Sequence, residues 1–180
     1  MACLATNGFL VNCKSTIGGI KALWIGPYAT IKGAATIDAS TEMVTALPAA
    51  TWVQFDLKPH TSNFKEEAQV SKENNTIFYL QTILANFHGL SAARRKEVNT
   101  FSKGRHAIIV QDNNNNYWLV GYLDGAEVSA ETTDTGTAKG DANSYSITFT
   151  AEEKNKAYRL TDAIVSDFDG TITAPTLDNV

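Results

Sequence analysis

The residues best suited to chemistry in this 180-residue chain are two aspartates late in the sequence. Asp167 and Asp169 stand in the run Ser166-Asp167-Phe168-Asp169-Gly170-Thr171. Carboxylates can act as nucleophiles and as proton donors or acceptors in group transfer. The other neighbouring carboxylates, Glu66-Glu67 and Glu152-Glu153, are adjacent, so on a strand they would point to opposite faces. We expect these glutamates to lie at a solvated surface rather than to form an acid–base pair.

The D-x-D-G-T sequence from Asp167 to Thr171 resembles the opening signature of haloacid-dehalogenase-like phosphatases. The resemblance implies that Asp167 would accept a phosphoryl group and that Asp169 would act as acid and base. In that family the motif follows a strand of a Rossmann-like parallel sheet, where ligands bind. The strands predicted upstream are antiparallel instead, which favours an acidic Asp-Gly turn. A phosphatase is therefore the least favoured function.

Other signatures of catalysis or ligand binding are missing from the sequence. Cys3 and Cys13 have neither the number nor the spacing of a disulfide framework or a zinc site, and His60, His88 and His106 are isolated. There is no G-x-S-x-G, no Walker A lysine and no G-x-G-x-x-G. We expect no enzymatic activity, no cofactor and no metal site.

Composition and charge narrow the class of protein further. Hydrophobic residues make up 43% of the chain, enough for the core of a single domain. A net charge of -4 argues against a dedicated nucleic-acid binder, which would be basic. No apolar run approaches the length of roughly 18 residues that crosses a membrane. The first residues lack the basic n-region of a secretory signal, so we expect an intracellular origin.

Hydrophobic periodicity predicts mainly short strands. The predicted strands are 20–25, 35–38, 43–47, 52–57, 64–70, 76–87, 106–110, 117–122, 127–131, 145–150, and one or two short strands within 158–165. The runs 52–57, 64–70 and 76–87 are interpreted as an antiparallel meander whose polar middle strand projects in part from the body. Residues 132–144 are predicted to be a flexible loop.

One helix stands out among the strands. Ser91 is a good N-cap for the run Ala92–Phe101, and Lys103-Gly104 supplies the cation and glycine that helix ends favour. Together, the strands and this helix predict a mostly-β (α+β) fold, which is an antiparallel β-sandwich or barrel with one flanking helix at about 91–102. We expect an arm at 1–16, a β domain at 17–165 and a C-terminal extension at 166–180.

Charge is distributed unevenly along the chain. Residues 129–180 contain nine Asp and Glu but four Lys and Arg, whereas the helix and its flank are basic. Such asymmetry would suit head-to-tail contacts between copies, with a solvated helix face as the alternative. The candidate inter-subunit residues are Arg94, Arg95, Lys96, Lys103, Arg105, Asp134, Lys139 and Asp141.

Three segments carry a resemblance to a known family. The first is Gly18-Gly19-Ile20-Lys21-Ala22-Leu23-Trp24-Ile25. The second consists of residues 104–113 and 117–121. The third is Thr135-Gly136-Thr137-Ala138-Lys139-Gly140-Asp141 together with the strand that follows it. Over roughly residues 17–160 the chain resembles structural proteins of phages that infect Bacteroidetes, including crAss-like phages. These family members look like tail tube or tail ring subunits.

The resemblance implies a tail-tube-type fold that assembles into a homo-oligomeric ring. Strands of neighbouring copies would line a lumen through which DNA passes without sequence-specific binding. The other partners would be neighbouring tail, portal or connector proteins, and no membrane. The protein would be made in the cytoplasm of the bacterial host and located in the virion tail. An acidic, Thr- and Asn-rich surface agrees with a conduit, because gripping DNA phosphates requires cations.

The alternative to a tail subunit is a β-sandwich accessory module that decorates the virion or binds carbohydrate. A carbohydrate-binding module would display aromatic side chains on one face. Here Trp24, Trp52 and Trp118 each lie in a strand pattern, and we expect them to pack in the core.

Overall fold

The computed structural model describes Lys14, residues 16–162, Ile164 and the backbone of Ile172–Thr173. Within this part the chain forms two β-sheets that pack face to face with a helix at their side. The prediction of a mostly-β fold with one flanking helix near 91–102 is confirmed. Neither sheet closes on itself among the described strands, so the sandwich, not the barrel, is the architecture that forms.

The larger sheet, sheet A, is central to the fold. Its strands are β1 (Ile20–Pro27), β2 (Thr36–Ile37), β3 (Met43–Ala46), β4 (Trp52–Asp56), β7 (His106–Asp112), β8 (Tyr117–Val120), β11 (Tyr158–Leu160) and β12 (Ile172–Thr173). Their order across the sheet is β12-β4-β1-β7-β8-β11-β3-β2. Side chains alternate along a strand, so Leu23 and Ile25 of β1 face one side and Ala22 and Trp24 the other. All four are buried, so this strand is covered on both faces.

The smaller sheet, sheet B, is fully antiparallel. It contains β5 (Asn63–Ser71), β6 (Thr76–His88), β9 (Glu127–Asp134) and β10 (Ser144–Glu153), in the order β5-β6-β10-β9. Every second residue of β6 and β10 points toward sheet A, and Ile83, Ala85, Ile147 and Phe149 are completely buried there. The clean alternation of these two strands is the pattern of a sheet that is covered on one face.

Two cores result from this arrangement. The first lies between the sheets and joins Leu23 and Ile108 of sheet A to Ile83 and Phe149 of sheet B. The second covers the outer face of sheet A, where Trp52 and Leu119 pack against the short helix α1 (Tyr28–Ile31) and nearby loops. Burying one such large side chain stabilises the fold by about 1.5–3 kcal/mol.

The longer helix, α2 (Ala92–Phe101), closes one side of the sandwich. The Ser91 hydroxyl accepts a hydrogen bond from the backbone N–H of Arg94 at 3.2 Å, as the sequence predicts for an N-cap. Val98 and Phe101 are buried in the core between the sheets, and the rest of the helix is mostly exposed. Two apolar side chains, about one turn apart, therefore anchor the helix.

The predicted three-stranded meander is wrong in its first strand. β4 pairs with β1 and belongs to sheet A, while only β5 and β6 form a hairpin in sheet B. The chain changes sheets at residues 57–62, where the N–H of Leu57 bonds to Lys21 of sheet A and that of Lys58 to Asn86 of sheet B. A polar turn between strands has the same sequence pattern in both cases, so the sequence could not distinguish them.

Other boundaries also differ from the expectation. β9 continues to Asp134 by pairing with β10, so the predicted loop 132–144 is shorter. The backbone of Ile172–Thr173 pairs in parallel with β4, which adds part of the predicted extension to sheet A. Apart from these two residues, Lys14 and Thr16, the predicted arm and extension lie outside the described residues, and so do Cys3, Cys13, Asp167 and Asp169.

Replacing Gly26 with alanine should destabilise the fold. A Cβ at this position of β1 would lie 2.6 Å from the ring of Trp52, which is completely buried and has no room to move. Overpacking of this kind costs about 1–3 kcal/mol. The free energy of unfolding, measured in urea, should fall by that amount.

The matched control for this substitution is Gly140→Ala. No atom lies within 4 Å of a Cβ built at Gly140, so this variant should be as stable as the wild type or slightly more so. Equal stability of the two variants would show that the contact between β1 and Trp52 is not tight.

Candidate functional site

The outer surface of sheet B, called here the open face, has no covering layer among the described residues. It is formed chiefly by Leu80, Thr82, Leu84 and Asn86 of β6 and by Ser146, Thr148 and Thr150 of β10. These side chains are half-buried by their neighbours in the sheet. Among the described helices, α1 packs on sheet A and α2 on the inner core, so neither covers this face.

The open face is polar but nearly free of cations. Lys65 is the only lysine or arginine in the four strands of sheet B, and it forms an ion pair with Glu67 at 2.8 Å. The remaining outward positions carry mainly hydroxyl and amide groups, which hydrogen-bond water well. Lysine and arginine supply most of the affinity of proteins for nucleic-acid phosphates, and this face carries only Lys65.

Both edges of sheet B are open in the described chain. β5 pairs only with β6, and β9 pairs only with β10. The two edge strands are nine and eight residues long, and neither contains proline. A long edge strand presents a row of N–H and C=O groups that another strand can bind. The sheet can therefore be extended at both sides by main-chain hydrogen bonds.

The far end of the β5–β6 hairpin extends beyond the sandwich. β10 pairs with β6 only as far as Tyr79, so residues 69–78, called here the hairpin tip, form a two-stranded ribbon. Val70, Ile77 and Phe78 are 62%, 51% and 39% exposed there. The prediction that part of this hairpin projects is confirmed. Beyond Tyr79 only the pairing of β5 with β6 holds this ribbon together, and two-stranded ribbons are marginally stable in water.

Glu153 is a buried carboxylate, although a solvated position was predicted for it. It is 3% exposed, and its oxygens accept hydrogen bonds from the N–H groups of Leu123 and Asp124, at 2.9 Å for the shortest bond to each. Burial raises the pKa of Glu153, while the backbone hydrogen bonds act in the opposite direction. The prediction that Glu153 lies at a solvated surface is therefore wrong. The prediction that Glu152 and Glu153 point to opposite faces of the strand is confirmed. The sequence did contain a signal for this burial, because Glu153 continues the alternating series of inward residues Tyr145, Ile147, Phe149 and Ala151.

Gln81 forms a second buried polar contact at the base of the hairpin. Its Nε2 donates to Glu66 Oε2 at 3.4 Å and to the carbonyl of Asn155 at 3.3 Å, and its Oε1 accepts from the N–H of Gly121 at 3.2 Å. Glu66 also accepts from the N–H of Ala157 at 2.7 Å. These bonds join β5, β6 and two loops, so their chemical role is to fix the position of the hairpin base.

Four of the predicted inter-subunit residues have partners within the chain. Arg94 donates from its guanidinium to the carbonyls of His88 and Gly89, and Arg105 binds Glu127. The carboxylates of Asp134 and Asp141 accept hydrogen bonds from backbone N–H groups of their own loop, which lowers the pKa of Asp141.

The other four predicted residues, Arg95, Lys96, Lys103 and Lys139, are exposed. Arg95 and Lys96 border a groove between α2 and β9 that also contains Glu131. The N–H of Gly89 bonds to Asn143, so the start of α2 and the loop 135–143 lie side by side. The structure thus places the start of α2 near the loop that contains Asp141, whereas Arg105 lies at the opposite end of β9, paired with Glu127. Their role between copies remains a prediction.

Comparison of the chain with protein-family models, curated proteins and solved structures found no match. No described helix is long and apolar enough to cross a membrane. The part of the chain that the structure describes contains no group of three His, Cys, Asp or Glu side chains that could hold a metal ion.

Replacing Glu153 with glutamine should change how stability depends on pH. A folded-state pKa above the usual value of 4.5 means that the folded chain binds this proton more tightly than the unfolded chain. The contribution of Glu153 to stability is therefore greatest below pH 4.5 and is lost as the pH rises through the folded-state pKa. On going from about pH 7 to pH 4, the wild type should gain stability relative to Glu153→Gln.

Urea unfolding at a series of pH values would measure this difference. The control is Glu152→Gln, since Glu152 is exposed on the same strand and its loss should leave the pH profile close to that of the wild type. A wild-type advantage over Glu153→Gln that shrinks toward low pH would contradict the assignment.

Proposed function

We propose that this protein is a virion structural subunit of a phage, which assembles with its own copies into a tail tube or connector ring. Sheets B of neighbouring copies pair at their edges, and the open faces line a conduit for DNA. The observation that carries the proposal is sheet B itself, which has two long open edges and one uncovered face that is nearly free of cations. The described fold would then be one segment of a larger closed sheet.

The two open edges support assembly into a ring. β5 of one copy and β9 of the next would satisfy each other's main-chain N–H and C=O groups. The two strands lie on opposite sides of sheet B, so this contact is heterologous and repeats from copy to copy. Such a series either closes into a ring or continues as a filament. Closure removes every free edge, as in a β-barrel.

The chemistry of the open face supports a conduit for DNA. Hydroxyl and amide groups keep the wall hydrated, and the single Lys65 is already paired with Glu67. A wall rich in lysine or arginine would hold phosphates and slow the passage of DNA. A weakly charged wall allows the polymer to slide.

The resemblance to phage tail proteins falls on elements that are well defined in the fold. Its segments correspond to β1, β7, β8 and to β10 with the loop before it. A carbohydrate-binding module is less well supported, because the strands of sheet B place only one aromatic residue, Phe78, on the outward side. Stacking on sugars uses several aromatic rings.

Electron microscopy of the purified protein over a concentration series tests the proposal. Rings or tubes with a central hole should appear as the concentration rises. Because main-chain pairing is less sensitive to salt than ion pairs are, these assemblies should persist at high ionic strength. Assemblies that dissolve in salt would instead favour the predicted contact between the basic helix and the acidic segment. Single particles at every concentration, with a nucleating virion extract added, would contradict the proposal.

Proline substitutions in β9 test the edge contact directly. Along an antiparallel strand, N–H groups of successive residues point to opposite sides. Proline has no N–H, so Ala130→Pro and Glu131→Pro each remove one backbone donor. In one variant the lost donor bonds to β10, and its unfolding temperature should fall. In the other variant the lost donor lies at the free edge, and its stability should be kept. The variant that keeps its stability should fail to form rings. Thr132→Ala retains every N–H and should assemble normally, so equal assembly of all variants would exclude β9 from the contact.

A further inference from the structure

The charged residues on the two edge strands of sheet B restrict how these strands can pair between copies. They are Lys65, Glu66 and Glu67 on β5 and Glu127, Glu131 and Asp134 on β9. We propose that β5 of one copy pairs with β9 of the next in a single register, in which Lys65 lies directly opposite Asp134. The inference rests on the proposed assembly through these edges, and it names the residues that meet there.

The alternation of side chains excludes half of all registers. The residues that point to the core side of sheet B are Phe64, Glu66, Ala68 and Val70 on β5 and Val128, Glu131 and Thr133 on β9. A slip of one residue would turn the core side of one strand to the open face of the other. The sheet therefore continues from copy to copy only in registers that differ by steps of two residues.

Charge excludes the registers next to the proposed one. A shift of two residues in one direction sets Glu66 opposite Glu131, and the same shift in the other direction sets Glu67 opposite Asp134. A shift of four residues in the first direction sets Glu67 opposite Glu127. Like charges directly opposite each other on paired strands are destabilising. Still larger shifts leave the two strands with a much shorter overlap, so they satisfy few of the main-chain groups at the edges.

The proposed register sets opposite charges against each other. Lys65 forms an ion pair with Glu67 within its own copy, and the Asp134 carboxylate accepts a hydrogen bond from the N–H of Gly136. An ammonium has three donors and a carboxylate has several acceptor sites, so both residues can keep these partners and also bind each other. Opposite charges that face each other across two strands stabilise the pairing.

The same register covers an exposed apolar side chain. Val70 is 62% exposed in the single copy, and the register sets it opposite Val128. Ser129 does not count in this alignment, because it is the extra residue of a bulge between Val128 and Ala130. Val128 packs against the core between the sheets. Val70 of one copy would therefore extend the core of the next.

The exposed cations of α2 identify a second copy of this chain as the partner of β9. Arg95 and Lys96 border the groove beside β9, which Thr133 also lines and which contains one carboxylate, that of Glu131. In the proposed register, Glu66 of the neighbouring copy lies opposite Thr133 on this side of the sheet. Its carboxylate approaches the two cations, so β5 complements the charge of the edge that it joins.

The register also sets the slope of the strands in a closed ring. Within one copy, Lys65 lies beside Thr150 across sheet B, through Thr82, whereas Asp134 lies beside Ser144. Ser144 and Thr150 are six residues apart, so joining Lys65 to Asp134 displaces each copy along its strands by about 20 Å. Four strand spacings measure about 19 Å, and the ratio gives a tilt of about 45°, near the range of about 35–45° in closed barrels.

Disulfide formation between cysteine variants tests the register. In a chain carrying Cys3→Ser and Cys13→Ser, the register sets Glu67→Cys opposite Thr132→Cys of the next copy, at a Cα distance of about 4.5–5.5 Å that a disulfide can span. Within one copy these positions lie on opposite edges of sheet B, at least about 14 Å apart, so a bridge must join two copies. Mild oxidation of the assembled protein should give a ladder of covalent oligomers.

Two matched pairs of cysteines report the neighbouring registers. Glu67→Cys with Ala130→Cys would lie opposite each other after a shift of two residues in one direction, and Glu67→Cys with Asp134→Cys after the same shift in the other. In the proposed register the Cα atoms of either pair are about 8 Å apart, which is too far for a disulfide. Both pairs should give roughly tenfold less of the covalent ladder.

Charge reversal gives an independent measurement. Lys65→Glu and Asp134→Lys each set like charges opposite each other, so each should raise the concentration needed for assembly roughly fivefold. Both side chains are exposed, so the unfolding temperature of each variant should stay close to that of the wild type. The double variant restores opposite charges and should assemble at nearly the wild-type concentration. Lys139→Glu, in the loop between β9 and β10, changes the net charge equally and should have no effect.

The outcomes separate this inference from the proposed function. Rings in which a control pair forms the bridges, or in which none of the three pairs does, overturn the register and leave the ring standing. Rings in which the double charge variant assembles no better than the single variants also overturn it. Bridges of the proposed pair in open chains support the register and count against the ring. Neither rings nor bridges at any concentration overturn both.

Discussion

Burial of both faces of sheet A is the constraint on which the rest of the structure depends. β1 and β7 carry large apolar side chains on both faces, so the sheet must be covered twice, by sheet B on one side and by α1 and loops on the other. Sheet B, α1 and these loops therefore pack against sheet A, and none of them covers the outer face of sheet B. Sheet B, whose strands alternate cleanly, needs one covering layer and receives one. Its polar outer face and its two edge strands therefore remain exposed.

Buried polar groups then fix the parts that project from this framework. Glu153 holds the loop after β8 through backbone N–H groups, and Gln81 connects β5 and β6 to the segment after β10. Polar groups of this kind contribute modestly to stability when they are satisfied, but they specify one arrangement of the loops. These bonds fix the base from which the hairpin leaves the body.

Single strands, helix ends and turns could be predicted because each depends on the order of a few neighbouring residues. The alternation in β10, the Ser91 cap of α2 and the turn between β7 and β8 all appear in the structure as expected. Pairing between distant strands left no such signal. The polar turn after β4 was interpreted as the turn of a hairpin, although there the chain passes from one sheet to the other.

The candidate surfaces were harder to predict for the same reason. Charge alone suggested Arg94, Arg105, Asp134 and Asp141 as inter-subunit residues, but each has a partner nearby in the fold. Exposure of Val70 and Ile77 depends on where β10 ends, which no local pattern reports. Trp118 was expected in the core and is only half-buried.

Amide hydrogen exchange, compared between assembled and unassembled protein, tests the central claim most directly. If copies join through the edges of sheet B, the amides of β5 and β9 that face the free edges should exchange much more slowly after assembly. The amides of β2, at the far edge of sheet A, should exchange at the same rate in both states. Assemblies in which β5 and β9 exchange as fast as in the free chain would contradict the account.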